Sequence, residues 1–304
     1  MPAYSRREFL KQSTTTVAAA GLLSIGARGL RASPLGLPIG SQTYPHRQRI
    51  KDGDFAGLCK DMVALGIGSI ELCSPGYGEF SSLADAKQTR QIIEDHGLIC
   101  PSSHFTLEEL RNKLPQAIEW AKGIGMTQIG TASLDGPVHN GVTTLDAVKK
   151  AADEYNQIGE RAAAAGLQQF LHDEGFEMSK VDGRLTYEVL LELLDPSLVK
   201  MQFQMSAMRV VGDPVMYFNK YPGRFISMHL QGVDLKTPMP APGSRPAGRP
   251  GPRRGAFGIA VGKDSLDWAK IFTAARTGGV KNYFLEQSWD LTVQGAAFLK
   301  NLNV

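Results

Sequence analysis

Eight short apolar segments, each followed by a helical or connecting segment, run through the chain from residue 34 to residue 304. Short apolar runs that alternate with amphipathic helices predict βα units, in which parallel strands are buried on both faces. Eight such units in succession fit a single-domain (β/α)8 barrel of the α/β class. The predicted strands are residues 37–43, 68–73, 98–104, 127–131, 167–173, 199–205, 225–230 and 281–286.

An open, doubly wound parallel sheet is the alternative arrangement of the same units. Sheets that bind nucleotides in this way usually carry a glycine-rich phosphate loop after the first strand. Here the first strand leads into Gln42-Thr43-Tyr44-Pro45-His46, which contains no glycine. The sequence therefore favours the barrel.

The clearest strand–helix–strand signal lies between Val199 and Asp234. Asp213-Pro214 has the form of an N-cap followed by proline at the first helical position, and Tyr221-Pro222-Gly223 ends that helix. Polar residues follow both flanking strands. In an α/β barrel such strand ends meet at one mouth, where ligands bind.

The polar residues at the predicted strand ends form a candidate site. Imidazole and carboxylate groups brought together are the donors that Zn²⁺, Mn²⁺ or Mg²⁺ requires. A cation held there could polarise a sugar carbonyl or stabilise an enediolate after proton abstraction. A single strand-end histidine is as often structural, so the prediction rests on the set. Its members are Glu71, His104, His172, Asp173, Glu174, Gln204, Ser206, His229, Gln231 and Glu286.

Composition excludes several other classes of function. A net charge of +3, with no recognition motif, argues against a nucleic-acid partner. The three cysteines, Cys59, Cys73 and Cys100, are odd in number and lack C-x-x-C spacing, so buried structural thiols are expected. The oligomeric state is left open.

The first 33 residues predict an export signal that precedes the barrel. Ser5-Arg6-Arg7-Glu8-Phe9-Leu10-Lys11 has the twin-arginine pattern, and an apolar run follows at Val17–Ile25. That run is too short for a convincing membrane span. We therefore expect a periplasmic protein with no membrane span in its mature form.

One segment, residues 236–262, interrupts the βα rhythm after the seventh strand. It is rich in Pro, Gly and Arg and has no acidic residue, so we expect nothing in it to be buried. It emerges on the face where the site should lie. A basic lid over the site and a solvated insertion are both compatible with this composition.

Several short motifs follow one another along the chain. They are Ser102-Ser103-His104-Phe105, Leu171-His172-Asp173-Glu174-Gly175-Phe176-Glu177, Asp195-Pro196-Ser197-Leu198-Val199, Met228-His229-Leu230 and Gly279 through Glu286. In this order and at this spacing they resemble the xylose isomerase-like barrels, known as sugar phosphate isomerases/epimerases, and the resemblance covers the chain from residue 36 onward.

The resemblance implies a divalent metal (Mn²⁺, Zn²⁺ or Mg²⁺) held by His172, His229 and Glu286, with Glu174 as a further ligand or base. Glu174 and Glu286 are the expected catalytic residues. The family's sixth-strand aspartate falls on Ser206 in an ungapped alignment, and Asp173 or Glu174 could compensate for it. The expected contacts with substrate are Glu71, His104, Gln204, Ser206 and Gln231.

Three functions follow from this reading. The leading one is an exported isomerase or epimerase of sugars, or a keto-sugar lyase, acting on a free sugar, a keto-sugar or a glycoside. The alternative is a non-catalytic barrel that binds sugar or a partner enzyme, which the replaced aspartate supports. A phosphodiesterase needs a fuller set of histidine and acidic ligands and ranks last.

Replacing Arg6 and Arg7 together by lysine should leave the folded protein in the cytoplasm, because twin-arginine export depends on that pair. Cell fractionation with immunodetection measures the distribution. Replacing Lys11 by arginine is the control and should leave export intact. A double variant that still reaches the periplasm would contradict the twin-arginine interpretation.

Overall fold

The computed structural model describes residues 33–236 and 258–304. The predicted export signal, except Ser33, and most of the predicted insertion lie outside the described residues. Of the described helices, none has the length and apolar character needed to cross a membrane.

Eight parallel strands form a closed barrel in chain order, which confirms the predicted (β/α)8 fold. The first strand pairs with the second at Gln42 and Glu71 and with the eighth at Ser41 and Leu285, so the sheet has no free edge. The strands are β1 Gly40–Gln42, β2 Ser69–Cys73, β3 Ile99–His104, β4 Gln128–Thr131, β5 Gln168–His172, β6 Val199–Gln204, β7 Phe225–Leu230 and β8 Asn282–Leu285.

Helices follow the strands and cover the outer surface of the barrel. The N-cap predicted at Asp213 forms, and Thr106 and Glu109 form a capping box at the start of another helix. The described α-helices are Arg47–Lys51, Phe55–Ala64, Ala86–Asp95, Leu107–Asn112, Leu114–Ile124, Leu145–Ala164, Thr186–Leu193, Met208–Val211, Pro214–Lys220, Trp268–Gly278 and Trp289–Leu299.

Local chemistry explains two features of the connecting segments. The helical segment after Thr106 is divided into two helices, because Pro115 has no N–H to donate and Lys113 leaves helical geometry with φ at −133°. A short antiparallel hairpin, Lys180–Val181 with Arg184–Leu185, was not predicted. Its two-residue turn is Asp182-Gly183, both with positive φ, and Asp-Gly is a strong hairpin signal.

The hydrophobic core lies between the barrel and its helices. Outward side chains of the strands, such as Leu72, Phe203 and Leu230, are fully buried there. Because side chains alternate along a strand, their neighbours in sequence point into the barrel, and many of these are polar. All three cysteines are buried and unpaired, as expected.

Two phenylalanines are the bulky apolar groups inside the barrel beside the histidines. The ring of Phe170 lies 5.3 Å from that of His104, and the ring of Phe284 lies 6.2 Å from that of His229. Each pairs with a glycine on the adjacent strand, Phe170 with Gly130 and Phe284 with Gly40. A Cβ at either glycine would collide with the phenylalanine ring and a backbone carbonyl.

The expectation that nothing in residues 236–262 is buried is wrong at the C-terminal end of the segment. Ala260 and Val261 are buried. The Gln287 side chain donates to the carbonyl of Ile259 at 2.7 Å and accepts from the N–H of Val261 at 3.2 Å. These bonds satisfy the backbone, so this stretch can pack despite its composition.

Replacing Gly130 by alanine should destabilise the fold by about 1–3 kcal/mol, because the new methyl group overlaps the Phe170 ring and carbonyl. Chemical denaturation followed by circular dichroism measures the change. Gly78→Ala is the matched control, since no heavy atom lies within 4 Å of its Cβ position. Equal unfolding free energies for the two variants would contradict the close packing.

Candidate active site

The barrel mouth brings together most of the residues that strand-end position predicted. Glu71, His104, His172, Gln204 and His229 are buried at or just below it. Each belongs to the last three residues of its strand, on β2, β3, β5, β6 and β7. Gln231 and Glu286 follow β7 and β8 directly. The site is thus assembled from six strands.

Glu71 is the buried centre of a hydrogen-bond network that crosses the barrel. One carboxylate oxygen accepts from Ser102 Oγ at 2.6 Å and from Gln202 Nε2 at 2.9 Å. The other accepts from Gln42 Nε2 at 3.0 Å and bonds His229 Nε2 at 2.5 Å. The side chain is fully buried and both oxygens are occupied, which favours a supporting role over the predicted contact with substrate.

The charge of Glu71 is balanced by histidines. Burial alone would raise the pKa of Glu71, but His229 and His104 outweigh burial and hold it well below its usual range. His104 Nε2 lies 3.4 Å from the carboxylate and bonds Gln202 Oε1 at 2.7 Å. The Nε2 atom of His104 is therefore bonded within the network and does not face the barrel mouth.

His229 lies between two carboxylates. Its Nε2 faces Glu71, and its Nδ1 lies 3.3 Å from Glu286 Oε2 without the geometry of a hydrogen bond. Burial lowers the pKa of His229, but Glu286 and Glu71 together raise it to about 10. The two carboxylates thus favour positive charge at this position, and either a proton on Nδ1 or a bound cation in its place supplies it.

Glu286 receives two amide groups on the same oxygen. Gln204 Nε2 donates to Glu286 Oε2 at 2.9 Å, and Gln231 Nε2 donates to it at 2.8 Å. The Oε1 atoms of both glutamines are buried and have no hydrogen-bond partner among the described residues. Burial raises the pKa of Glu286, but His229 and the amide of Gln204 contribute to lowering it below its usual value.

His172 completes a triad of imidazole rings. Its ring centroid lies 4.6 Å from that of His229 and 5.3 Å from that of His104. Ring nitrogens of all three histidines lie within 4.8 Å of one another. Burial, followed by the nearby His229 and His104, lowers the pKa of His172 well below its usual value, so the ring is neutral at physiological pH.

These groups fit a divalent cation. The Nδ1 atoms of His172 and His229 are buried and lack hydrogen-bond partners among the described residues. Glu286 supplies a carboxylate next to the second of them. Two imidazoles and a carboxylate form a donor set of the kind that Zn²⁺ and Mn²⁺ use.

The fifth-strand acidic residues occupy different environments. Asp173 is fully buried, and its Oδ1 accepts from the backbone N–H of Gln204 at 2.7 Å. Glu174 is exposed at the mouth, outside the histidine triad. Desolvation at the mouth and, next, the charge of Glu286 raise the pKa of Glu174. Glu174 is therefore placed to meet a ligand, whereas Asp173 fastens β5 to β6.

Ser206, on which the family's sixth-strand aspartate falls in the ungapped alignment, lies half-buried in the 3₁₀ turn Met205–Ala207 that follows β6. The residue of β6 that contacts Glu286 is Gln204. The position facing Glu286 from the sixth strand thus carries a neutral amide.

Glu177 anchors the loop that carries Glu174. Its carboxylate accepts from Ser133 Oγ at 2.7 Å and from the backbone N–H groups of Leu134 at 2.8 Å and Gly175 at 3.1 Å. It is fully buried, and burial raises its pKa to about 7 despite these bonds. The loops after β4 and β5 are therefore joined through one carboxylate.

Several residues of the site were not predicted from the sequence. Gln42, Ser102 and Gln202 complete the network on Glu71, and two of them could have been found by period-two alternation, since Ser102 precedes His104 by two and Gln202 precedes Gln204 by two.

Tyr44 and Tyr77 follow β1 and β2 and lie edge to face, 6.2 Å between ring centroids. Burial is the main cause that raises the pKa of both tyrosines, and the charge of Glu174 adds a smaller contribution to each.

Comparison with known proteins shows which solved structures share this fold. No family model and no curated protein matches this sequence. Among solved structures, a sugar phosphate isomerase/epimerase from Parabacteroides distasonis has a TM-score of 0.69 and 19% identity, over 88% of this chain and 96% of that one. The likeness is one of fold.

Two further structures show the range of proteins that share it. The probable 3-DHS dehydratase involved in petrobactin synthesis from Bacillus anthracis has a TM-score of 0.65 and 15% identity, covering 88% of this chain and 100% of that one. A xylose isomerase-like TIM barrel protein from Mycobacterium smegmatis, in complex with magnesium, has a TM-score of 0.59 and 14% identity, covering 88% and 97%.

Glu177→Gln should change how stability depends on pH. The folded protein holds the Glu177 proton up to about pH 7, against the usual 4.5. The stabilisation of the folded state by protonated Glu177 is therefore fully present below about pH 4.5. It is lost as the pH rises to about 7, at roughly 1.4 kcal/mol per pKa unit. Between pH 4.5 and 7.5 the wild type should lose up to about 3 kcal/mol relative to Glu177→Gln.

Chemical denaturation across this pH range measures the difference. The matched control is Glu119→Gln at an exposed position. Wild-type and Glu177→Gln profiles that stay parallel would show that Glu177 does not retain its proton in the folded protein.

Proposed function

We propose that this protein is a metal-dependent isomerase or epimerase of free sugars or keto-sugars, with sugar elimination as a variant of the same chemistry. The observation that carries the proposal is the pair of unpartnered Nδ1 atoms of His172 and His229, whose rings lie 4.6 Å apart, with the carboxylate of Glu286 3.3 Å from the second of these atoms. Fold likeness to isomerase/epimerase and dehydratase structures supports it.

His172, His229 and Glu286 would hold the cation. When bound, the cation would polarise a sugar carbonyl and so acidify the hydrogen on the adjacent carbon. Glu71 fixes His229 through Nε2 and thereby directs Nδ1 towards Glu286, as carboxylates commonly do for metal-binding histidines. Removing Glu71 would leave buried donors unpaired on four strands.

Glu174 is the base in this proposal. It is exposed at the mouth and its pKa is raised, which brings it closer to the pH at which proton abstraction is most effective. The resemblance offered Glu174 as a further ligand or as a base, and the proposal takes the second role. Glu286 is assigned to the cation, and Gln204 and Gln231 orient it.

The mouth also has a surface suited to a sugar. Tyr44 is 38% exposed, and Tyr77 packs against it edge to face. Aromatic rings with polar tips bind the apolar face of a sugar while their hydroxyl groups remain hydrated. The proposed periplasmic location favours free sugars, keto-sugars and glycosides over sugar phosphates.

A non-catalytic sugar-binding barrel is the second candidate. Glu286 Oε2 already receives two amide N–H groups, which can satisfy its charge without a cation. In that case the mouth would bind sugar through Tyr44, Glu174 and the amide oxygens, with no proton transfer.

Protein purified without chelator should carry about one equivalent of Mn²⁺ or Zn²⁺ by elemental analysis. His172→Ala and Glu286→Gln should each weaken binding more than tenfold in calorimetry, because each removes a direct donor. His139→Ala, at an exposed position, is the matched control.

Activity is measured as exchange of the hydrogen beside the carbonyl with D₂O, followed by NMR over a panel of keto-sugars. Glu174→Gln should lower exchange by about 10²–10⁴-fold with the cation affinity unchanged. Sugar binding without any exchange in the metal-loaded wild type would favour the non-catalytic barrel.

A further inference from the structure

The amide groups of Gln204 and Gln231 are arranged in an unusual way around Glu286. Both approach the same carboxylate oxygen, Oε2, at 2.9 and 2.8 Å. Each leaves its own Oε1 buried, with no donor among the described residues. Because neither Oε1 is bonded, each amide is held in its present orientation only by its one bond to Glu286 among the described residues.

A half-turn of a side-chain amide exchanges its oxygen and nitrogen with little change in shape. After that turn, Oε1 of each glutamine would lie about where Nε2 lies now. Its distance from Glu286 Oε2 would then be close to the present 2.8–2.9 Å. Adjacent donors on an octahedral cation with bonds of about 2.1 Å are about 3 Å apart. The 3.3 Å from His229 Nδ1 to the same oxygen is similar.

We propose that Gln204 and Gln231 are ligands of the cation held by Glu286 and His229, and that these neutral amides make the site select Mn²⁺ or Zn²⁺ over Mg²⁺. This inference rests on the proposed function. The donor set then has one carboxylate, amide oxygens and imidazoles. Mg²⁺ keeps several of its waters and is usually held through carboxylates, so a site that replaces those waters with neutral protein ligands suits it poorly. Imidazole nitrogen suits Zn²⁺, and carbonyl oxygen suits Mn²⁺.

The proposal also gives β6 a ligand in place of the aspartate that the resemblance implies, whose aligned position, Ser206, lies in the turn after that strand. Gln204 reaches the same carboxylate from the sixth strand, and Gln231 reaches it from the loop after the seventh. With fewer anionic ligands, a bound divalent cation keeps more of its positive charge. It would therefore polarise a carbonyl more strongly than in a site with two or three carboxylates.

Isosteric variants test the proposal in cation-free protein titrated by calorimetry with MnCl₂ and MgCl₂. Gln204→Glu and Gln231→Glu should raise the Mg²⁺ affinity at least tenfold and the Mn²⁺ affinity less, so the Mn²⁺/Mg²⁺ preference falls. Without cation both variants should have a lower Tm, because a new carboxylate faces Glu286, and Mn²⁺ should restore it. Gln204→Leu and Gln231→Leu should lower the Mn²⁺ affinity at least tenfold.

Gln287→Glu is the matched control, because Gln287 is also buried but bonds the backbone of Ile259 and Val261. Its Tm should fall without recovery on adding Mn²⁺. Wild-type binding that is unchanged in both leucine variants would overturn the inference and leave the proposed function standing. No cation binding in the wild type would overturn the proposed function itself. If the glutamate variants do not fold, the leucine variants alone decide the question.

Discussion

The buried carboxylate of Glu71 is the interaction on which the rest of the site depends. It is fully enclosed, and it joins side chains from β1, β3, β6 and β7 to β2. A buried carboxylate is stable only when its oxygens are paired, and removing one partner of a buried ion pair typically costs about 3–5 kcal/mol. Here the charge is paired mainly with His229, so the orientation of the imidazole and the integrity of the barrel interior are linked.

The interior of the barrel contains two phenylalanine side chains and a polar hydrogen-bond network, which share the same space. Phe170 and Phe284 fill space beside the histidines, and this is possible because Gly130 and Gly40 leave room on the adjacent strands. Barrel interiors are ordinarily filled by bulky branched residues. In this chain a polar network fills much of that space, which keeps the imidazoles close together while every strand remains paired.

The hydrogen bonding around Glu286 is less complete than the hydrogen bonding around Glu71. Around Glu71 both carboxylate oxygens and the inward amide of Gln202 are satisfied. Around Glu286 the acceptors Gln204 Oε1 and Gln231 Oε1 and the Nδ1 atoms of His172 and His229 have no partners among the described residues. Satisfied groups hold structure, whereas the unsatisfied groups on this side are available to a water, an ion or a ligand. The boundary between scaffold and site therefore lies at His229, whose Nε2 belongs to the scaffold and whose Nδ1 belongs to the site.

The sequence by itself determined the strand and helix order, because hydrophobic periodicity and capping residues are local signals. The eight predicted strands all exist, and β7 has the predicted bounds, Phe225–Leu230. Strand-end position also identified Glu71, His172, His229 and Glu286, since parallel strands must bring their carboxyl ends together.

Only the tertiary structure decided what each of these residues does. Glu71 and Glu174 are both strand-end acids, yet one is fully buried among donors and the other is exposed, because inward direction and depth depend on strand tilt and stagger. Gln204 rather than Ser206 faces Glu286, since the chain turns after β6 in a way that spacing does not encode. The burial of Ala260 and Val261 likewise depends on Gln287, which follows them by more than twenty residues in the chain and meets them only in the folded barrel.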